Sequence, residues 1–233
     1  SKDIDKDFFK EINTEEKAYI LGFFCADGAI SNKKTFSIRI GLKDINLLLA
    51  IRKALKSNHA ISIIAVSHGF LKKDGTTSLA CNLSITCPQI VSDIKNHNIP
   101  VDKTHELIFP TDIPSNLIKH FIRGYFDGDG SVFLKMDRCF LKTKEHPEGY
   151  LWEKRGIGVS MVGTSSFLES VAQYLRPITG QQGNIHEDKK KHCSSFMFSR
   201  KSCLNIYHYF YDDATIWLDR KRRVFEDYFK INS

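Results

Sequence analysis

The chain has 233 residues, 42% of them hydrophobic, and carries a net charge of +7. That is enough apolar material for a sizeable core in one domain or two, and the basic balance favours a polyanionic partner, nucleic acid ahead of an acidic membrane. No apolar run reaches the ~18 residues of a membrane span and no charged-then-apolar leader opens the chain. A soluble protein is therefore expected, with no membrane partner, inside a prokaryotic cytoplasm or an organelle and not secreted.

A charged arm reaches to about Asn13, and Thr14 then caps a helix whose first turn carries Glu15 and Glu16. Its apolar run from Ala18 to Ala26 stops at Gly28. From Ala29 to Leu42 the pattern is extended, with Phe36, Ile38 and Ile40 on one face and Ser37 and Arg39 on the other. Asp44 opens a second helix to about Lys56. Strands at Ala60 to Val66 and Thr77 to Thr86 flank the polar turn Lys72-Lys73-Asp74-Gly75, and Pro88 starts a short helix to about Asn96.

Residues 99–114 hold Pro100, Pro110 and Pro114 with little periodicity and read as a connection between repeats at 1–98 and 115–233. A helix from about Asn116 to Asp129 follows, then strands near Ser131 to Lys135 and Arg155 to Val162. The polar segment Asp137 to Glu153 between them reads as a hairpin excursion. A helix over Ser165 to Leu175, a strand pair within Asn184 to Arg200, and helices at Ser202 to Tyr211 and Trp217 to Phe229 complete the chain. Each half thus reads α-β-β-α-β-β-α, an α+β class with two antiparallel sheets.

The two halves share one signature. Ile122-Arg123-Gly124-Tyr125-Phe126-Asp127-Gly128-Asp129-Gly130 echoes Ile20-Leu21-Gly22-Phe23-Phe24-Cys25-Ala26-Asp27-Gly28, 102 residues earlier. In each copy small residues recur four apart, Gly22 with Ala26 and Gly124 with Gly128, which gives each helix a smooth stripe. Two such stripes let helix backbones approach, and Asp27 and Asp129 then meet at the helix ends, where Gly28 and Gly130 suit left-handed caps.

Two carboxylates about 4 Å apart repel by roughly 4 kcal/mol at an effective dielectric of 20. The negative helix ends add to that repulsion. A hard divalent cation relieves it, and magnesium suits a site of two carboxylates completed by water and phosphate oxygens, with manganese as a substitute. The pattern points to metal-assisted phosphate chemistry.

The paired stretches resemble the motifs of LAGLIDADG homing endonucleases in their single-chain, two-motif form. GYFDGDGS is a near-complete match; the first copy departs only in carrying Cys25 where the motif has an acid. The resemblance spans nearly the whole chain. It implies a monomeric, magnesium-dependent, intron-encoded nuclease that cuts both strands of a long double-stranded DNA target, with Asp27 and Asp129 as metal ligands, Lys103 and Lys221 as peripheral catalytic cations, and its own intron RNA as a further partner. Arg220 stands beside Lys221 as an alternative. The family's glutamine near the metals has no counterpart here. A non-cleaving binder of the same fold, such as a maturase or regulator, is the rival reading.

Strand ribbons fit the major groove. The polar positions expected to face a duplex are Lys34, Ser37, Arg39, Ser78, Asn82 and Ser84 in the first sheet, and Lys135, Arg138, Arg155, Ser195 and Ser199 in the second. Because these sets differ, a non-palindromic target is expected. The six cysteines show no C-x-x-C pair or zinc spacing with histidine and read as free thiols. Gly156-Ile157-Gly158 lacks the third glycine and strand-to-helix turn of a dinucleotide loop.

Overall fold

The computed structural model describes residues 3–67, 77–100, 106–183, 185–188, 193–199 and 201–231. The first half runs α1 (Glu15–Asp27), β1 (Gly28–Ser31), β2 (Thr35–Gly41), a 3-10 turn (Leu42–Asp44), α2 (Ile45–Ala54), β3 (Ile61–Ser67), β4 (Thr77–Thr86) and α3 (Pro88–Asn96). The second half runs α4 (Ile118–Asp129), β5 (Gly130–Leu141), β6 (Tyr150–Gly163), α5 (Ser165–Thr179), β7 (Ile185–Asp188), β8 (Cys193–Ser199), α6 (Lys201–Tyr211) and α7 (Asp219–Phe229). The expected repeat is present in both halves, with α7 added at the end of the second. The strands form two four-stranded antiparallel sheets of matching order, β1-β2-β4-β3 and β5-β6-β8-β7.

The duplication extends to side-chain register. Gly28 lies opposite Ile38 and Ile38 opposite Leu83; in the second sheet Gly130 lies opposite Met161 and Met161 opposite Phe196. Ile38, Leu83, Met161 and Phe196 are all buried against the helices. Since strand side chains alternate, the intervening residues of β2, β4, β6 and β8 face away from the core.

At the centre, α1 and α4 are buried on every side, from Ala18 to Cys25 and from His120 to Asp127. The small-residue stripes meet as expected. A Cβ on Gly22 would lie 2.0 Å from the Phe121 carbonyl oxygen, one on Gly124 2.0 Å from that of Tyr19, and one on Gly128 2.2 Å from the Ala26 Cβ. Only hydrogen at these positions permits the contact. Thr14 caps α1 by accepting the Lys17 N–H at 3.4 Å.

Three expectations need correcting. Gly28 and Gly130 are extended, with φ of −81° and −83°, so neither is a left-handed cap. They are glycines because a Cβ would strike the rings of Phe24 and Phe126, at 2.0 and 2.2 Å. The extended run from Ala29 to Leu42 is broken by a hairpin at Asn32 and Lys33, with φ of 51° and 56°, a tight turn made without glycine. The polar excursion between Asp137 and Glu153 is itself sheet out to Leu141 and Tyr150, tied across the ladder by an Arg138–Glu153 ion pair at 2.7 Å. This arm outruns its helices, which leaves Phe140 61% and Leu151 58% exposed and hides the alternation from a sequence reading.

Buried polar knots hold the halves together. Arg123 of α4 is fully buried: it donates to Glu15 of α1 at 2.7 Å, to the Phe210 and Ile216 carbonyls, and to His120 Nδ1 at 2.6 Å. Glu15 also accepts the Thr215 N–H at 2.6 Å and its hydroxyl at 2.7 Å. One carboxylate thus joins the start of α1, the middle of α4 and the α6–α7 connection. In the first half, His97 bridges the Phe9 carbonyl and Asp112, fastening the inter-repeat connection.

Candidate active site and nucleic-acid interface

Both motif helices end at one point. Asp27 and Asp129 are the last residues of α1 and α4, and both are exposed. The Gly128–Ala26 contact sets their proximity: a Cβ on Gly128 would stand 3.4 Å from Asp27 Oδ2. Both carboxylates also act on the Lys221 ammonium.

Lys221, expected as a peripheral cation, is buried at the end of α4. It is 4% exposed, and its ammonium donates to the carbonyls of Phe126, Asp127, Gly128 and Gly130, at 2.5, 2.7, 3.3 and 2.5 Å. The reason is the helix end itself. The last carbonyls of α4 have no intrahelical partners and form the negative end of the dipole, so a buried cation saturates them. Burial pulls the Lys221 pKa down to about 8 despite the opposing pull of Asp127. Lys103 lies outside the described residues, as do the Lys72–Gly75 turn, Asn184 and Arg200.

Arg220 is an exposed cation at the site, as are Arg39 and Lys43, which line the same cavity as Asp27. The Arg220 side chain is 47% exposed and forms an ion pair with Asp44 of the first half at 3.2 Å. It borders three cavities, two of which reach the ends of the motif helices. One, of about 350 Å³, is also lined by Asp27, Gly128, Arg39 and Ser78, and the other, of about 270 Å³, by Gly130, Ser131 and Lys221. Asp44 had signalled only a helix start in the sequence; its partner is 176 residues away, beyond the reach of local pattern.

The motif acid that Cys25 replaces has a structural role in the second copy. There Asp127 is buried and accepts hydrogen bonds from Tyr19 at 2.7 Å, Tyr211 at 3.4 Å and the Leu218 N–H at 2.8 Å. The acid therefore fastens the start of α7 to α4. Burial raises its pKa against the opposing pull of Lys221 and the Tyr19 hydrogen bond. Cys25 is buried too, at the same place in α1, and takes part in no disulfide.

Among the described residues no cluster of three or more His, Cys, Asp or Glu could hold a metal. Two exposed carboxylates at adjoining helix ends nonetheless suit a hard cation that takes one or two protein carboxylates and completes its shell with water and substrate. The residues present fit such an ion.

Most of the expected reading residues share one face. Ser37 lies opposite Ser84, Arg39 opposite Asn82, and Ser78 opposite Val66, all on the side away from the helices; Lys34 is exposed in the β1–β2 turn. Lys135, Ser195 and Ser199 take the same side of the second sheet. Arg138 and Arg155 do not. They sit opposite Glu153 and Met136, three register steps and one from Lys135 and thus on the other face, because an odd offset inverts a strand side chain.

No family model matches the chain, and no curated protein sequence matches it. Solved structures do. The LAGLIDADG homing endonuclease I-LtrWI bound to target DNA is 14% identical with a TM-score of 0.55, over 97% of this chain and 90% of its own. I-GzeII in complex with its DNA target gives 14% and 0.52 over 91% and 88%, and I-SmaMI bound to cleaved DNA gives 13% and 0.52 over 95% and 89%. At these identities the likeness establishes the fold. The chain has the two-repeat fold of the LAGLIDADG homing endonucleases, as the paired motifs led one to expect.

Proposed function

We propose that the chain is a monomeric, divalent-metal-dependent endonuclease that cuts both strands of a long, non-palindromic DNA duplex. One observation carries this reading: close-packed glycine stripes bring two exposed carboxylates to a single point between two sheets of matching register. Asp27 and Asp129 hold the metal, magnesium or manganese, which when bound supplies Lewis-acid stabilisation of charge at the phosphodiester. Arg220, held by Asp44, adds positive charge beside the reacting phosphate. Lys221 acts one step removed: it fixes the end of α4 and thereby the backbone that presents Asp129, so it is a positioning residue. The two polar sheet faces set the duplex in register over the acids.

The test is to incubate the protein with a randomised duplex library and magnesium and to sequence the cut ends. One long recurrent site with staggered breaks is the expected result. A recurrent bound site that is never cut would favour the non-cleaving binder, and cuts without sequence preference would refute site specificity.

A further inference from the structure

Matching the two ladders residue by residue shows where their reading chemistry parts. With Gly28 equivalent to Gly130, Ile38 to Met161 and Leu83 to Phe196, the register makes Ser31 equivalent to Phe133, Arg39 to Val162, and Ser84 to Met197. All six lie on the face away from the helices. At three equivalent positions, hydrogen-bonding side chains in the first sheet are therefore replaced by apolar ones in the second.

The substitutions are surface features and not displaced core. Val162 is 42% and Met197 52% exposed, on a face whose opposite side carries the fully buried Ile157, Val159 and Met161. They are also neighbours: Val162 pairs with Ser195, Met197 pairs with Ser160, and the diagonal between them spans β6 and β8. Phe133 extends the patch. Its ring lies where a Cβ on Gly158 would be, 2.5 Å from the nearest ring atom, whereas the equivalent of Gly158 in the first sheet is Thr35. Gly158 therefore opens room for an aromatic on this face.

An exposed apolar patch of this kind has one matching feature in a DNA major groove. Of the groups displayed there, only the thymine 5-methyl is apolar, while arginine and asparagine pair with guanine and adenine edges. Resting on the DNA-binding reading above, we infer that the two sheets read by different chemistry: the first through Arg39 and Asn82 by hydrogen bonding, the second through Phe133, Val162 and Met197 by contact with thymine methyl groups. The half-site under the second sheet is thus rich in thymine on one strand or the other. This also gives a residue-level basis for a non-palindromic target.

The test uses the full chain in EDTA. A preferred duplex is first selected from a randomised library by binding; Arg39→Ala then identifies the half-site of the first sheet as the one whose preference relaxes. All thymines are next replaced by deoxyuridine in one half-site at a time, which removes only the 5-methyl groups. Affinity should fall roughly fourfold per contacted methyl in the second half-site, as expected for one buried methyl or methylene equivalent, and stay nearly constant for the first. Met197→Ser, at an exposed position, should weaken binding to the thymine duplex and lose part of the sensitivity to deoxyuridine. Equal sensitivity of both half-sites, or none in the second, would overturn the inference while leaving site-specific binding intact. Failure to select any site would overturn the DNA-binding reading and this inference with it.

Discussion

Gly124→Ala is the sharpest probe of the helix pair, because two effects of opposite sign compete there. In an exposed helix the change would stabilise, since alanine is favoured over glycine by about 1 kcal/mol. Here the new Cβ would fall 2.0 Å from the Tyr19 carbonyl oxygen and 2.8 Å from the Phe23 nitrogen. Carbon and oxygen come no closer than about 3.3 Å even in a weak C–H···O contact, so the helices must part by more than about 1 Å. Both partners are mid-helix backbone and cannot swing aside. Overpacking of this kind costs about 1–3 kcal/mol, and the upper end applies where nothing can yield. Against the alanine gain, the net loss is about 2 kcal/mol, or about 4–8 °C in Tm for a chain of this size. Urea titration with an unchanged m-value, alongside calorimetry, measures it. A Tm equal to or above wild type would refute the close approach of α1 and α4.

Two further outcomes follow. His120 is buried, and its Nδ1 accepts from Arg123, which requires a neutral ring; burial first, and then the Arg123 charge, hold its pKa below the ordinary value, with Glu15 and Asp213 opposing. The unfolded chain therefore binds a proton that the folded chain refuses, and stability should fall as pH drops from the unfolded histidine pKa of about 6.5 towards the lower folded value, by at most about 1.4 kcal/mol per pH unit. Urea midpoints from pH 7.5 to 5 should show that added loss in wild type and not in His120→Gln; parallel curves would exclude it. Separately, a +7 chain on a long duplex displaces condensed counterions, so affinity for the preferred site should drop by about a thousandfold or more between 50 and 200 mM salt, by fluorescence anisotropy. A flat response would argue against a phosphate-dominated footprint.

Much of this architecture was legible because the chain states its pattern twice. The small residues at Gly22, Ala26, Gly124 and Gly128 and the terminal Asp27 and Asp129 follow helical spacing, and that spacing survives into the contact. The alternation in β2 and β4 placed Ser37, Arg39, Asn82 and Ser84 on one face because the other face is buried. Where burial is one-sided in the sequence but not in the fold, the reading failed. The β5–β6 arm is exposed on both faces, so Arg138 and Arg155 offered no pattern from which to judge their side. Lys221 was found, but its burial was not, because its four carbonyl partners lie more than 90 residues away. The same holds for Arg220 with Asp44 and for Arg123 with Glu15: long-range polar pairing leaves no local signal.

The most direct test of the central proposal is to replace Asp27 and Asp129 singly by asparagine and to measure cutting and binding of the preferred duplex in parallel. Each substitution keeps the shape of the helix end and removes one charged ligand, while the sheet faces are untouched. Double-strand cleavage in magnesium should be lost in both variants, with affinity close to wild type. Either variant cutting both strands at the wild-type rate would contradict the assignment of these two carboxylates as the catalytic metal ligands.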